Sequence, residues 1–318
     1  MKSQMKDIKF SVAIPAYKSR FLKEAIESVL SQTYQNYELI IVNDASPYDI
    51  DSIIYLFNDS RIHYFRNEKN CGAKNVVDNW NICLSKSSGD YFMCIGDDDK
   101  IKPNCLNDFS EIIHQYPAVE IFHSRTEIID ENSAFKELLD CRPEWESVFS
   151  LISSINDSGL GSYLYKTSTL RKNGGFYNLP YGWSSDFISA FIAADKFGIV
   201  NTQKAGFQYR RNGMSISHDM FGIEDKIVAN NTAKDWILSF ILMKDAANAS
   251  EENMKVQIQK SIIKTTNVKN DDLIEFDIRK NFFNRALFWF SKRLEYDISF
   301  VRYLKCVIRS IKYRYKNS

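Results

Sequence analysis

The sequence predicts an α/β fold: a mostly parallel, Rossmann-like central sheet with helices on both faces, followed by a helical C-terminal region. Two observations carry that expectation. Between residues 10 and 95, short apolar runs alternate with stretches whose apolar residues recur at helical spacing, and each run closes on a polar loop. Beyond Asp219 the strand and glycine signals cease while helical periodicity continues. The 318 residues, 44% hydrophobic and 25% charged, supply material for one large domain or two smaller ones.

The first unit is strand, loop, helix: an apolar run over 10–14, then Pro15, Ala16 and Tyr17, then Phe21, Leu22, Ala25, Ile26, Val29 and Leu30. The unit repeats. Residues 37–42 form a second strand, closed by Asn43, Asp44, Ala45, Ser46 and Pro47, with a helix through Ile50, Ile53, Ile54 and Phe57. A third strand over 62–65 leads through the loop 66–72 to a helix carrying Val76, Val77, Trp80 and Leu84. The fourth strand, 91–95, runs into Gly96, Asp97, Asp98 and Asp99. Helix is expected over 108–116, strand over 119–124 and a short helix over 145–152. A strand entered through Gly159 and Gly161, a helix over 168–171 stopped by Gly174 and Gly175, and an apolar helix opened by Asp186 follow. Strands are expected over 199–202 and 205–210, and polar stretches at 248–255 and 265–272 should interrupt the C-terminal helices.

In such a sheet, ligands bind at the carboxyl ends of the strands. The loops 15–17, 43–46 and 70–72 would then share an edge with residues 97–99, and a nucleotide is the natural occupant. Three adjacent carboxylates at the end of a buried strand are costly unless a cation or hydrogen-bond donors compensate them. Mg²⁺ or Mn²⁺ would do so, since both favour carboxylate oxygens and share them with phosphates. The alternative is an acidic turn or a helix start, with Asp99 near the N-terminus and Pro103 in the first turn.

The net charge of +1 excludes a chain-wide nucleic-acid footprint, and no nucleic-acid partner is expected. Six cysteines, none in a C-x-x-C pair, read as reduced core residues. The polar start MKSQMKDIKF does not read as a signal peptide, and no apolar run approaches the roughly 18 residues of a membrane span, so a cytoplasmic location is expected.

With VAIPAY, IIVNDAS, NCGA, GDYFMCIGDDD and Pro103, GSYLYK, GGF, SSDF and YRRNGMSIS in that order, residues 8–218 resemble the inverting family 2 glycosyltransferases of GT-A fold. The resemblance implies a GT-A catalytic domain over 1–218 and a helical, basic region over 219–318. It implies metal-dependent transfer of a sugar from a nucleoside diphosphate sugar to a hydroxyl of a glycan or lipid-linked acceptor, in bacterial surface-polysaccharide synthesis. Asp44 corresponds to the family's base-contacting aspartate. A carboxylate there accepts from N3–H of uracil or thymine, which favours UDP or dTDP donors; Asp44 also suits the capping of its own turn. Pro15, Ala16 and Tyr17 match the loop that packs on the nucleoside, and Gly72 and Lys74 fall where the nucleotide is met.

Setting Pro103 on the family's proline puts Gly96 in the place of the usual first aspartate. Asp98 is then the metal ligand, Asp97 lies beside the ribose or metal, and Asp99 faces the acceptor side or its own helix. A literal Asp-x-Asp reading instead pairs Asp97 with Asp99. Asp186 matches the catalytic base, and also suits an N-cap. Trp183 offers a stacking face, Arg210 or Arg211 a diphosphate contact, and His218 a ligand for metal or phosphate, although strand alternation lets only one arginine point inward. The rivals are a nucleotidyltransferase, whose glycine-rich signature loop is missing from PAYKSR, and a noncatalytic nucleotide- or sugar-binding module.

From residue 278 to 318, eleven Lys or Arg face two acids, a local net of +9. Aromatic and aliphatic residues interleave with them, as in helices that lie on anionic membranes, and a peripheral position on the inner face of the cell membrane is expected. An amphipathic helical domain with a solvated basic face has the same pattern.

Overall fold

The computed structural model describes residues 7–154, 159–212 and 221–317. The chain folds as two compact units, Met1–His218 and Asp219–Ser318.

The first unit opens with β1 (Phe10–Ala16), α1 (Leu22–Leu30), β2 (Tyr37–Asn43), α2 (Ile50–Ile54), β3 (Ile62–Arg66), α3 (Val76–Lys86) and β4 (Tyr91–Cys94). It continues through β5 (Lys100–Ile101), α4 (Cys105–Gln115), β6 (Ile121–Ile129), β7 (Phe135–Leu138), β8 (Trp145–Glu146), α5 (Val148–Ser153), β9 (Tyr163–Lys166), α6 (Thr167–Lys172), α7 (Ser185–Ala194) and β10 (Ile199–Arg210). The strands join one sheet in the order β3-β2-β1-β4-β9-β6-β10-β5, with β7 on β6 and β8 on β10. β3, β2, β1, β4, β6 and β10 share one direction, and β9, inserted between β4 and β6, runs against them.

β1, β2 and β4 are almost wholly buried, as a sheet covered on both faces requires. Val12, Ile14, Leu39, Ile41, Met93 and Phe122 form one side of a continuous core with Leu22, Ile26 and Val29 of α1 and Leu106 and Phe109 of α4. On the other face Phe176 joins Trp80, Phe92 and Tyr165 through ring contacts of 5.5 to 6.2 Å.

Several expectations need correction. β6 runs on to Ile129 and folds back as the hairpin strand β7, where the mixed signal of the sequence had stopped it at Ser124. Trp145 and Glu146 belong to a strand on β10, so the short helix starts later, at Val148. The two strands expected over 199–210 are one strand with two register shifts, between Asn201 and Ala205 and between Ala205 and Phe207, which disguise its continuity. A short strand, β5, follows Asp99 where a helix start was the alternative.

The second unit contains α8 (Ile223–Met243), α9 (Ala249–Lys280), α10 (Phe282–Lys292) and α11 (Phe300–Asn317). The polar stretches at 248–255 and 265–272 do not break it. They begin and continue α9, a helix with a narrow buried stripe that includes Leu273, Ile274 and Ile278. Helix formers with a thin apolar seam look like a linker when polarity alone is read. The core of this unit gathers Ile223, Ile227, Ile274, Ile278, Trp289 and Cys306, and the Trp289 indole N–H donates to Asp277 Oδ2 at 2.8 Å. Among the described residues no helix is long and apolar enough to cross a membrane.

At the edge of the sheet where β2 begins, Glu38 is buried. Burial would raise its pKa, but the Ser11 hydroxyl, the Ser88 hydroxyl and N–H, and Lys9 hold it down to about 2. A depressed carboxylate stabilises the fold above its unfolded value and loses that contribution as pH falls through the folded one. Glu38→Gln should therefore cost about 2 kcal/mol at neutral pH, a deficit that closes as pH falls below the ordinary carboxylate range. Urea titrations of both proteins across that range would measure it; a pH-independent gap would rule the account out.

Candidate active site

The carboxyl ends of β1, β2 and β4 bring the expected loops together. Asp97 is buried and its Oδ2 accepts the backbone N–H groups of Tyr17 and Lys18 at 2.8 and 2.6 Å. Burial, then the neighbouring Asp98 charge, pushes its pKa up to about 6. The Asp44 N–H donates to the Ala16 carbonyl at 2.9 Å, and Ser46 Oγ to the Tyr17 carbonyl, so the β1 and β2 loops are stitched to each other. Pro15 is half-buried, Ala16 buried, and Tyr17 reaches the surface in edge contact with Tyr48.

Asp44 is buried, and its Oδ1 accepts from Asn67 Nδ2 at 2.8 Å and from the Cys71 N–H at 2.9 Å. Asn67 also donates to Asn79 Oδ1 at 3.1 Å. Gly72 directly follows that contact with φ +80°, a conformation that glycine adopts at little cost. Lys74, in the single 3₁₀ turn that follows, is exposed.

The carboxylates of residues 97–99 part company. Asp98 is half-buried and its Oδ2 accepts from Asn212 Nδ2 at 2.8 Å. Asp99 is buried rather than facing its own helix; its Oδ1 accepts the Arg210 N–H at 2.9 Å. Burial, then Asp98, drives its pKa well up. Asp98 Oδ1 and Asp99 Oδ2 both converge on Gly96: a Cβ on that glycine would stand 2.9 Å from each. A side chain on Gly96 would require those two carboxylates to shift.

Arg210 differs from its expected role. It points inward, as strand alternation allows for one of the pair, yet its guanidinium is fully buried and spent on the protein. Nε donates to the Asp98 carbonyl at 2.7 Å, Nη1 to the Asp130 carbonyl and Ser133 Oγ at 3.1 and 3.0 Å, and Nη2 to Glu24 Oε2 at 2.9 Å. The group also stacks on Phe21, 4.3 Å from the ring centroid. Arg211 is exposed and lies 3.8 Å from Glu137. Arg210 is therefore not presented to a diphosphate; it is a clasp on the acidic turn.

Asp186 lies in the first turn of α7, one residue inside Ser185; the N-cap position belongs to Ser184. Its Oδ1 accepts the Phe187 N–H at 2.9 Å, and its carbonyl accepts from the Tyr165 hydroxyl at 3.3 Å. Tyr165 pairs with Phe92, in the strand that runs on to Asp97. The approach to Asp186 is strained: Tyr181, Gly182 and Ser184 all have positive φ. For the two non-glycine residues that costs on the order of 1 kcal/mol each, of the kind retained at functional sites. Gly182 is also pressed against Trp80, 2.6 Å from where its Cβ would stand. Trp183 is half-buried beside this turn. His218 lies outside the described residues.

Sequence reading missed Asn67, Asn79, Asn212, Glu24 and Ser133. Asn67 and Asn212 sat inside noted loops, but nothing local marks an asparagine as the partner of a distant carboxylate. Two cavities, of about 320 and 450 Å³, lie elsewhere, the first beside the segment 139–154 and the second beside Gly89, Asp90 and Lys166; neither is lined by the acidic turn.

The model of the family described as glycosyl transferase family 2 matches residues 11–174, half of the chain and every strand from β1 to β9. The chain belongs to glycosyl transferase family 2. Among curated relatives, an uncharacterized glycosyltransferase of Rickettsia bellii is 33% identical over 44% of this chain and 20% of its own length. WcaA of Escherichia coli K12, a glycosyl transferase named for colanic acid biosynthesis, is 39% identical over 31% of this chain and 36% of its own. The chain thus spans less than two-fifths of the length of either relative. The crystal structure of S. aureus TarS 1-349 in complex with UDP-GlcNAc superposes with a TM-score of 0.63 at 15% identity, over 96% of this chain and 92% of that one. The TarS 1-349 structure with UDP has the same score. The likeness establishes the GT-A fold.

Removing the Arg210 side chain should leave Glu24 with Lys100 alone and strip the Asp98 and Asp130 carbonyls of their donor, while the backbone N–H keeps its bond to Asp99 Oδ1. Arg210→Met is expected to lose about 3 kcal/mol of stability, the cost of deleting a buried guanidinium that satisfies two loop carbonyls and Ser133. Urea denaturation measures it, and a loss under about 1 kcal/mol, within the range of an exposed pair, would show the clasp to be dispensable.

Proposed function

We propose that the chain is a metal-dependent inverting glycosyltransferase that moves a sugar from a UDP- or dTDP-sugar to a hydroxyl of a glycan or lipid-linked acceptor in bacterial surface-polysaccharide synthesis. The observation that carries it is the convergence of Asp98 Oδ1 and Asp99 Oδ2 above Gly96, next to the stitched β1 and β2 loops. UDP-GlcNAc and UDP in the TarS structures support a uridine donor, and WcaA's naming supports the polysaccharide setting.

The donor set fits Mn²⁺ or Mg²⁺. Among the described residues no cluster of three or more His, Cys, Asp or Glu forms a closed cage. Mg²⁺-type sites commonly use one or two carboxylates and complete the shell with substrate phosphates and water. Asp98 and Asp99 would hold the ion, with Asp97 fixing the turn. When bound, the ion neutralises charge on the departing diphosphate.

Pro15, Ala16 and Tyr17 flank the nucleoside. Asp44, oriented by Asn67 and the Cys71 N–H, accepts from the base imide, with Gly72 and Lys74 beyond it. Asp186 takes the acceptor hydroxyl proton as the acceptor oxygen bonds to the anomeric carbon. The bond from that carbon to the diphosphate oxygen breaks with its electron pair, and the attack from the opposite face inverts the centre. Asp186 is suited to this by its fixed first-turn position. A lipid-linked acceptor would bring the reaction to the inner face of the cell membrane, where the basic C-terminal region meets the lipid.

Calorimetry with Mn²⁺ and a panel of nucleoside diphosphate sugars tests the donor site. Binding should require metal and weaken at least tenfold in Asp98→Asn. Asp186→Asn should lower transfer by roughly 10²- to 10⁴-fold with donor affinity retained. Metal-independent binding, or none, would overturn the reading; binding without transfer or slow donor hydrolysis would favour a noncatalytic module.

A further inference from the structure

The second unit exposes apolar surface that its own core leaves uncovered. On α10, Phe283 and Leu287 are 82% and 69% exposed, and Phe290 continues their face at the spacing of neighbouring turns. On α11, Val301, Leu304 and Ile308 do the same, at 61%, 40% and 50%, while Tyr303, Cys306 and Ser310 turn inward. The two helices meet beside these stripes: the Phe290 ring lies 6.4 Å from Phe300, which is itself half exposed at the start of α11. Contiguous exposed apolar area of this kind marks a binding surface.

Cations stand within and beside it, the lysines one helical turn from Val301 and Ile308. Arg293 stacks on Phe290, 4.6 Å from the centroid, and Lys305 and Lys312 stand exposed along α11. Among the described residues none of the three has an ion pair, whereas Arg285, Arg302 and Arg309 are held by Asp277, Asp271 and Glu275. The structure thus sorts the basic residues of 278–318 into those that bind the unit together and those left facing outward. A second copy of this face would oppose like charge to like. An anionic bilayer satisfies both features, taking the apolar side chains below its headgroups while the lysines and arginine meet the phosphates.

We propose that α10 and α11 lie in the plane of an anionic lipid surface, with Phe283, Leu287, Phe290, Val301, Leu304 and Ile308 inserted and Arg293, Lys305 and Lys312 at the headgroups. This deepens the membrane partner named above, yet its test needs no donor. The full chain is sedimented with vesicles of phosphatidylcholine alone or mixed with phosphatidylglycerol. It should pellet with the mixed vesicles only, and less at high salt. The Lys305→Gln/Lys312→Gln variant should bind about thirtyfold more weakly, from two basic contacts at the surface. Leu287→Glu/Ile308→Glu should abolish binding with circular dichroism unchanged; should that variant misfold, the lysine variant still decides. No pelleting, equal pelleting with both vesicles, or a dimer in light scattering that Leu287→Glu/Ile308→Glu dissolves would overturn the proposal. A chain that binds vesicles but no nucleotide would instead overturn only the donor site.

Discussion

Three carboxylates side by side at the end of a buried strand repel one another, and much of the first unit answers that repulsion. Asp97 is met by two backbone N–H groups, Asp98 by Asn212, and Asp99 by the Arg210 N–H. The donors come from the β1 loop and from the far end of β10, so the acidic turn ties together segments more than a hundred residues apart in sequence. The second oxygens of Asp98 and Asp99 are directed at one place, the space above Gly96. Residual anionic character there is what a divalent cation and a diphosphate would share.

Arg210 shows how a cation can serve such a site without touching ligand. Its side chain neutralises Glu24 and braces the turns at Asp98 and Asp130, while its own N–H holds Asp99. A buried guanidinium must satisfy most of its donors to be tolerated, and five hydrogen-bonding directions in one plane suit an arginine joining several loops.

The second unit follows a different logic. α9 buries a thin seam, and buried polar contacts such as Asn230 with Asn270 and Trp289 with Asp277 set its register. Its apolar surplus is displayed on α10 and α11 rather than enclosed, a distribution of hydrophobicity that composition alone does not separate from a core.

The sequence by itself determined the α/β class, the first four strand and helix units, the helical C-terminal region and the loops that gather at one edge. Each depends on short-range periodicity or on strand direction, which local patterns encode. Only the tertiary structure decided that β9 runs against its neighbours, that residues 199–210 are one bulged strand, and that Arg210 clasps rather than contacts a diphosphate. It also decided which oxygens of Asp98 and Asp99 meet above Gly96. Those facts depend on partners far apart in the chain, and on space that packing leaves or removes; neither has a signature in the spacing of residues along a single stretch.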